Sequence, residues 1–121
     1  MLINSCIFFN VTTGIDGAST LSTLATAAGW DGTVPIVMTI NSGVHIRSMS
    51  SSTPSLTMNV ANSVLINNGA IFGRGGNHST AGGHAISITA TGTTITNNSG
   101  AFIAGGGGGG GGAGGGGGAG Q

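Results

Sequence analysis

The chain has 121 residues, enough for one small domain. Only 3% of them are charged, namely Asp16, Asp31, Arg47 and Arg74, and the formal net charge is zero. Nucleic-acid binding is excluded, because it needs a Lys/Arg patch against phosphates, and so few ions predict a part of a larger assembly rather than a free monomer.

Residues 1–9 are apolar but short and lack a basic n-region, so they are not read as a secretory signal. Release of assembled particles by lysis is the expected route to the outside. No window approaches the ~18 apolar residues of a membrane span. Cys6 is the single cysteine, which excludes an intrachain disulfide and a cysteine-cluster metal site. Its neighbours Ile3, Ile7, Phe8 and Phe9 predict a buried thiol. The one helical pattern follows, with Ser19 or Thr20 as cap, Leu21, Leu24, Ala25 and Ala28 on one face, and Gly29 to end it. Trp30-Asp31-Gly32 then turns the chain, and Trp30 is expected to pack beside the helix rather than to stack on a ligand. Residues 1–32 thus form a first zone of strand, short helix and turn.

Residues 33–104 form a second zone of period two. Ile36-Val37-Met38-Thr39-Ile40, Val44-His45-Ile46, Leu56-Thr57-Met58-Asn59-Val60 and Ala85-Ile86-Ser87-Ile88-Thr89 read as strands. Mean hydropathy is +0.36, which argues against disorder. A repeat underlies the zone: Ile40-Asn41-Ser42-Gly43-Val44-His45-Ile46 resembles Ile66-Asn67-Asn68-Gly69-Ala70-Ile71-Phe72 and Ile95-Thr96-Asn97-Asn98-Ser99-Gly100-Ala101-Phe102-Ile103. Each unit is an apolar strand end, an Asn turn closed by Gly, and another apolar strand. Asn41 to Asn67 is 26 residues and Asn67 to Asn97 is 30. Such periods predict stacked β rungs, as in a solenoid, rather than a closed barrel.

Residues 105–121 form the third zone, glycine throughout except Ala113, Ala119 and Gln121. It is either a flexible linker or a structure held by backbone alone. Ordering ~15 such residues costs on the order of 20 kcal/mol. Chains without Cβ atoms can approach closely enough for their N–H and C=O groups to pair, but a lone three-fold extended helix has no internal hydrogen bonds. Elsewhere glycine clusters only in scraps, at Gly73-Arg74-Gly75-Gly76 and Gly82-Gly83. Neighbouring copies, or sequence beyond Gln121, are therefore expected to supply the other strands, with Gly105, Gly108, Gly111, Gly114 and Gly117 at packing positions. Collagen is excluded, since Gly-X-Y spacing is absent. The fold class expected is all-β: short stacked strands of a β-solenoid or β-helix, intertwined in an oligomer, with one short N-terminal helix and a C-terminal polyglycine-II segment.

Side chains that carry chemistry are few. Asp16 and Asp31 both precede glycine, where Asp commonly bonds its own backbone. No Gly-x-Ser-x-Gly elbow occurs, and Gly73-Arg74-Gly75-Gly76 lacks the Lys-Ser/Thr and helix of a phosphate loop. No enzyme, cofactor or small-molecule substrate is expected. His45, His78 and His84 form no His-x-His pair and have no carboxylate nearby in sequence, so packed or surface histidine is expected and not a metal site. Arg74, a lone charge among glycines, either bonds local carbonyls or meets a carboxylate or glycan on a receptor.

The order of these segments resembles a family. Leu24-Ala25-Thr26-Ala27-Ala28-Gly29-Trp30-Asp31-Gly32, the Asn41-Ser42-Gly43 turn, Asn67-Asn68-Gly69-Ala70-Ile71-Phe72-Gly73-Arg74-Gly75-Gly76, Gly82-Gly83-His84-Ala85-Ile86 and Asn97-Asn98 leading into polyglycine are similar to the glycine-rich distal region of bacteriophage tail-fibre and tail-tip receptor-binding proteins. The resemblance implies polyglycine-II helices, loops between them that contact host outer-membrane proteins or surface glycans, and a place in the virion tail after synthesis in the host cytoplasm. It implies a homotrimer among other tail-fibre or tail-tip proteins. The one short candidate loop is Asn77-His78-Ser79-Thr80-Ala81, and receptor contact is expected from Arg74, Asn77, His78, Ser79, Thr80 and His84. The alternative from another class is a self-assembling extracellular glycine-rich filament or matrix protein with no specific receptor.

Overall fold

A computed structural model describes residues 6–77 and 80–108. The period-two runs become short parallel strands wound into coils. The first coil is β1 (Ile7–Val11), β2 (Ile15–Asp16) and β3 (Ser19–Thr20), continuing into α1 (Leu21–Ala27). The second is β4 (Ile36–Ile40), β5 (His45–Arg47) and β6 (Leu56–Met58), and the third is β7 (Val64–Asn67), β8 (Ala70–Phe72) and β9 (Ile86–Ile88). A fourth begins with β10 (Thr94–Asn97) and β11 (Phe102–Ala104). Corresponding strands pair across coils, giving sheets β1-β4-β7-β10, β2-β5-β8-β11 and β3-β6-β9, every pair parallel. The molecule is therefore the expected β-solenoid, of about three turns, with a single short helix.

Stacking turns the alternation along each strand into columns across strands. Phe9, Met38, Leu65 and Ile95 lie in register and face the interior, as do Ile15, Ile46, Ile71 and Ile103 on the second wall. Leu56 and Met58 close the third wall. Among the described residues nine large apolar side chains are fully buried, including Ile36, Met38, Ile40, Leu65 and Ile71, each stabilising the fold by roughly 1.5–3 kcal/mol relative to exposure. The same alternation corrects one expectation. Cys6 shares the parity of Phe8 and Asn10, which point outward, so the thiol is exposed and not buried.

One column breaks the apolar rule. Val11, Ile40, Asn67 and Asn97 are in register, advancing by 29, 27 and 30 residues, and Asn67 is fully buried where its neighbour is isoleucine. Its amide nitrogen donates to Asn97 Oδ1 and to the Phe102 carbonyl, both at 2.9 Å, and its oxygen accepts from the Gly69 N–H at 3.1 Å. The 26-residue spacing from Asn41 to Asn67 is thus not the coil length. Asn41 stands level with Asn68 and Asn98, whose N–H groups bond the carbonyls of Ile40 and Asn67 as that of Asn41 bonds Val11. Gly43 and Gly100 close their turns at φ of +81° and +87°, as Asn-Gly turn chemistry predicts. Gly69 does something else: a Cβ there would lie 2.1 Å from the Val44 carbonyl oxygen, so it is needed for close approach between coils.

The helix follows its sequence signals. Thr20 caps it, accepting from the Thr23 N–H at 3.3 Å, and Leu21 and Ala25 are buried against the third wall. Gly29 sits at φ +105° while its N–H bonds Thr26 O and that of Trp30 bonds Ala25 O, a Schellman end. Ala28, expected on the buried face, is exposed because the helix stops one residue before it. Trp30 packs on the core as expected, its Nε1 donating to Val34 O at 2.8 Å.

Candidate functional site

Each coil has a corner between its second and third strands, and this corner lengthens along the stack. It comprises two residues in the first coil (17–18), eight in the second (48–55) and thirteen in the third (73–85). The strands on either side stay in register, Asp16 with Arg47 and Phe72, and Ser19 with Leu56 and Ile86. The extra chain must therefore project from the prism.

A hydroxyl network supports the projection. Ser48 and Ser55 are buried, the Ser48 N–H donates to Ser55 Oγ at 2.8 Å, and Ser48 Oγ lies 3.0 Å from Thr53 Oγ1. Ser55 Oγ donates to the carbonyl of Phe72, and its N–H to that of His84 at 3.0 Å, so the second-coil corner grips both ends of the third. With one hydroxyl able to donate and accept at once, serine suits a place where an N–H of one coil meets a carbonyl of the next.

Above that support, glycine segments lie side by side. Gly73 N–H donates to Ala104 O at 2.8 Å, Gly76 N–H to Gly107 O at 2.8 Å, Gly83 N–H to Arg74 O at 2.7 Å and Gly106 N–H to Gly83 O at 2.9 Å. Three stretches of one chain, 73–76, 82–83 and 105–107, are thereby joined through backbone alone. A Cβ at Gly73, Gly82 or Gly106 would lie 2.0 Å from a carbonyl oxygen of a neighbouring stretch. Only glycine allows this spacing. The sequence led to an expectation that other copies, or sequence beyond Gln121, supply the pairing strands; for the described glycines the partners come from the same chain. The lengthened corner carries the two scraps to the start of the glycine run, so the chain pairs with itself.

The residues singled out from sequence divide as follows. Arg74, Asn77, Thr80 and His84 all lie on the 73–85 corner and are exposed. The Arg74 side chain has no ion pair among the described residues, while its carbonyl is held by Gly83. Asn77 O accepts from the Thr80 N–H at 2.9 Å, which turns the chain between the glycine stretches. Gly105 and Gly108 sit beside the paired stretches with ordinary contacts of 3.7 and 4.0 Å at their Cβ positions. His78, Ser79, Gly111, Gly114 and Gly117 lie outside the described residues.

The structure also assembles a charged group that sequence distance concealed. Asp16 on β2 and Arg47 on β5 are register partners; Arg47 Nε donates to Asp16 Oδ1 at 2.6 Å and His45 Nε2 lies 2.9 Å from the same oxygen. The Arg47 hydrogen bond, then that of His45, holds the Asp16 carboxyl below the usual range. Asp31 makes the local turn expected of Asp-Gly: its Oδ1 accepts from the Thr33 N–H and hydroxyl at 2.9 Å and from the Val34 N–H at 3.3 Å, which lowers its pKa too. Among the described residues no group of three or more His, Cys, Asp or Glu is placed to hold a metal. No helix there is long and apolar enough to cross a membrane.

A rigid parallel stack with one corner grown outward, and that corner built from backbone-paired glycine, defines a β-solenoid that presents surface loops. The chain belongs to the phage tail fibre adhesin Gp38 family, whose pattern matches residues 7–121. Membership places it in the virion tail, in the tail-fibre assembly that attaches the phage to the host surface. No curated protein and no solved structure matches the chain.

Proposed function

We propose that the chain is a non-catalytic receptor-recognition module of the tail fibre or tail tip, and that its 73–85 corner contacts the host. The observation that carries this reading is the corner itself. Thirteen residues leave the solenoid, are tied back to it by backbone bonds of glycine, by Ser55 and by Ala85, whose carbonyl accepts from the Leu56 N–H, and carry Arg74, Asn77, Thr80 and His84 at exposed positions. His78 and Ser79 complete the set in sequence. Loops mounted on a rigid scaffold are where binding residues concentrate. The chemistry available is one guanidinium, which suits a carboxylate or glycan, together with amide and hydroxyl groups. The ligand is an outer-membrane protein or a surface glycan.

Polyglycine-II packing of the glycine run is part of this reading; its residues 109–121 lie outside those described. A homotrimer is the assembly proposed, although the glycines described need no second copy for their pairing; the mass of the purified particle by light scattering tests it. Deleting residues 77–81 tests the contact. Host adsorption is expected to be lost while the circular dichroism and melt of the solenoid persist. Unchanged adsorption by a folded deletion variant refutes the assignment of this corner.

A further inference from the structure

A second corner, between the first and second strands of each coil, has a different profile. Its turn has four residues in the second coil (41–44), two in the third (68–69) and four in the fourth (98–101). The third-coil turn is thus recessed between two longer ones. The recess is an open concavity of about 240 Å³, with Asn68, Gly69 and Ala70 as floor, Ser42 and His45 on one wall and Phe102 on the other. Its depth is fixed by packing. Gly69 is pressed against the Val44 and Asn41 carbonyls and has no room for a Cβ, and the outward column His45, Ala70, Phe102 places a small side chain between two large ones.

We infer that this recess is a saccharide site, separate from the 73–85 corner, that takes one pyranose ring. The lining has the two chemistries such a ring needs. Phe102 keeps 46% of its surface exposed and offers an apolar plane to the C–H face of a sugar. Around it stand neutral hydrogen-bonding groups that can meet hydroxyls. The Asn68 oxygen is already engaged by Asn98 Nδ2 at 2.6 Å, which leaves the Asn68 amide nitrogen as a donor. Ser42 adds a hydroxyl, and His45, held in place through Nε2 by Asp16, completes the wall. Neither Arg47 nor Asp16 lines the recess, so no guanidinium or carboxylate faces a ligand there. An extended peptide strand finds no open sheet edge, since β8 is flanked by β5 and β11.

The test is ligand-observed saturation-transfer NMR on the full chain with the methyl glycosides of glucose, galactose, mannose and N-acetylglucosamine. At least one is expected to bind with a millimolar Kd. Phe102→Ala is expected to weaken it about tenfold, the loss of one stacking plane. Ala70→Trp, which fills the floor, is expected to abolish it, and deletion of residues 77–81 to leave it unchanged. That last arm separates this site from the proposed receptor corner, whose own failure shows in adsorption and not in sugar binding. Absence of transfer from all four glycosides at about 100 mM overturns the inference, as does binding that survives Ala70→Trp. A change in particle mass on Ala70→Trp without sugar binding makes the recess a contact between copies, and the saccharide assignment falls. If Ala70→Trp does not fold, Phe102→Ala decides.

Discussion

Alanine substitution along the glycine stretches separates backbone pairing from mere flexibility. At Gly73 a Cβ would lie 2.0 Å from the carbonyl oxygen of Gly83. The two stretches must then part by about 1 Å, which carries a hydrogen bond of ordinary length past its useful range. Gly83 is held by two such bonds, to Arg74 O at 2.7 Å and from Gly106 N–H at 2.9 Å, and Gly73 makes its own to Ala104 O at 2.8 Å. Loss of these three bonds, each contributing a net 0.5–1.5 kcal/mol, predicts about 2–4 kcal/mol of local destabilisation. Gly75 is the internal control. A Cβ there meets only Gly107 O, at 3.7 Å, and its φ is not left-handed, so Gly75→Ala is expected to be neutral or to stabilise by about 0.4–1 kcal/mol through the unfolded chain. The assay is amide hydrogen exchange read at Gly76, Gly83 and Gly106, because local opening need not follow the global melt. Protection should collapse in Gly73→Ala and Gly106→Ala and survive in Gly75→Ala. Equal protection in all three variants refutes the claim that these stretches require glycine to pair.

Asn67→Leu should lower stability by about 2–4 kcal/mol in a thermal or urea melt, since Phe102 O and Gly69 N–H lose a buried partner, even though isoleucine fills the same column one coil away. An unchanged melt shows that the column accepts either chemistry. Asp16 gives a pH dependence of known sign. Its folded pKa lies below that of a free carboxyl, so its stabilising effect is present above the unfolded value and fades as pH falls through the folded pKa. Asp16→Asn should therefore flatten the fall in melting temperature between about pH 5 and about pH 2, by a small amount because the group is exposed; an identical acid limb in both proteins removes the ion group from the account.

The architecture was legible because two periods coexist in the sequence. Alternation over Ile36–Ile40 fixes which side chains face inward, and recurrence of Asn-Gly turns fixes the stacking. The register was legible only to within one residue. Similarity aligned Asn41 with Asn67 because both begin a turn, but hydrogen bonding places Asn67 with Ile40, since the third-coil turn is two residues shorter than its neighbours. A polar residue inside an apolar column has no local signature. The Asp16, His45 and Arg47 group was invisible for a related reason: 29 and 31 residues separate the partners, and only the length of a coil makes them neighbours. Exposure of Cys6 was available from parity and was masked by the hydrophobicity of its neighbours. The self-pairing of the glycine stretches required knowing that one corner, and not the other two, grows.

Such growth is inexpensive at this corner. In a solenoid each coil is stabilised by contact with the next, so a corner can lengthen without disturbing any column. By loop-closure entropy alone, going from eight residues in the second coil to thirteen in the third costs about 0.4 kcal/mol. Immobilising the five added residues costs far more, at about 1–2 kcal/mol each for the backbone. The structure meets that cost where it is largest, by pairing glycine N–H and carbonyl groups with the chain that follows β11. It leaves the Arg74 and Asn77 side chains outside the pairing. Side-chain identity on the corner is thereby decoupled from the bonds that hold it. An attachment protein that must change what it recognises while keeping its fold needs that separation, and here it follows from the absence of Cβ atoms at Gly73, Gly82 and Gly106.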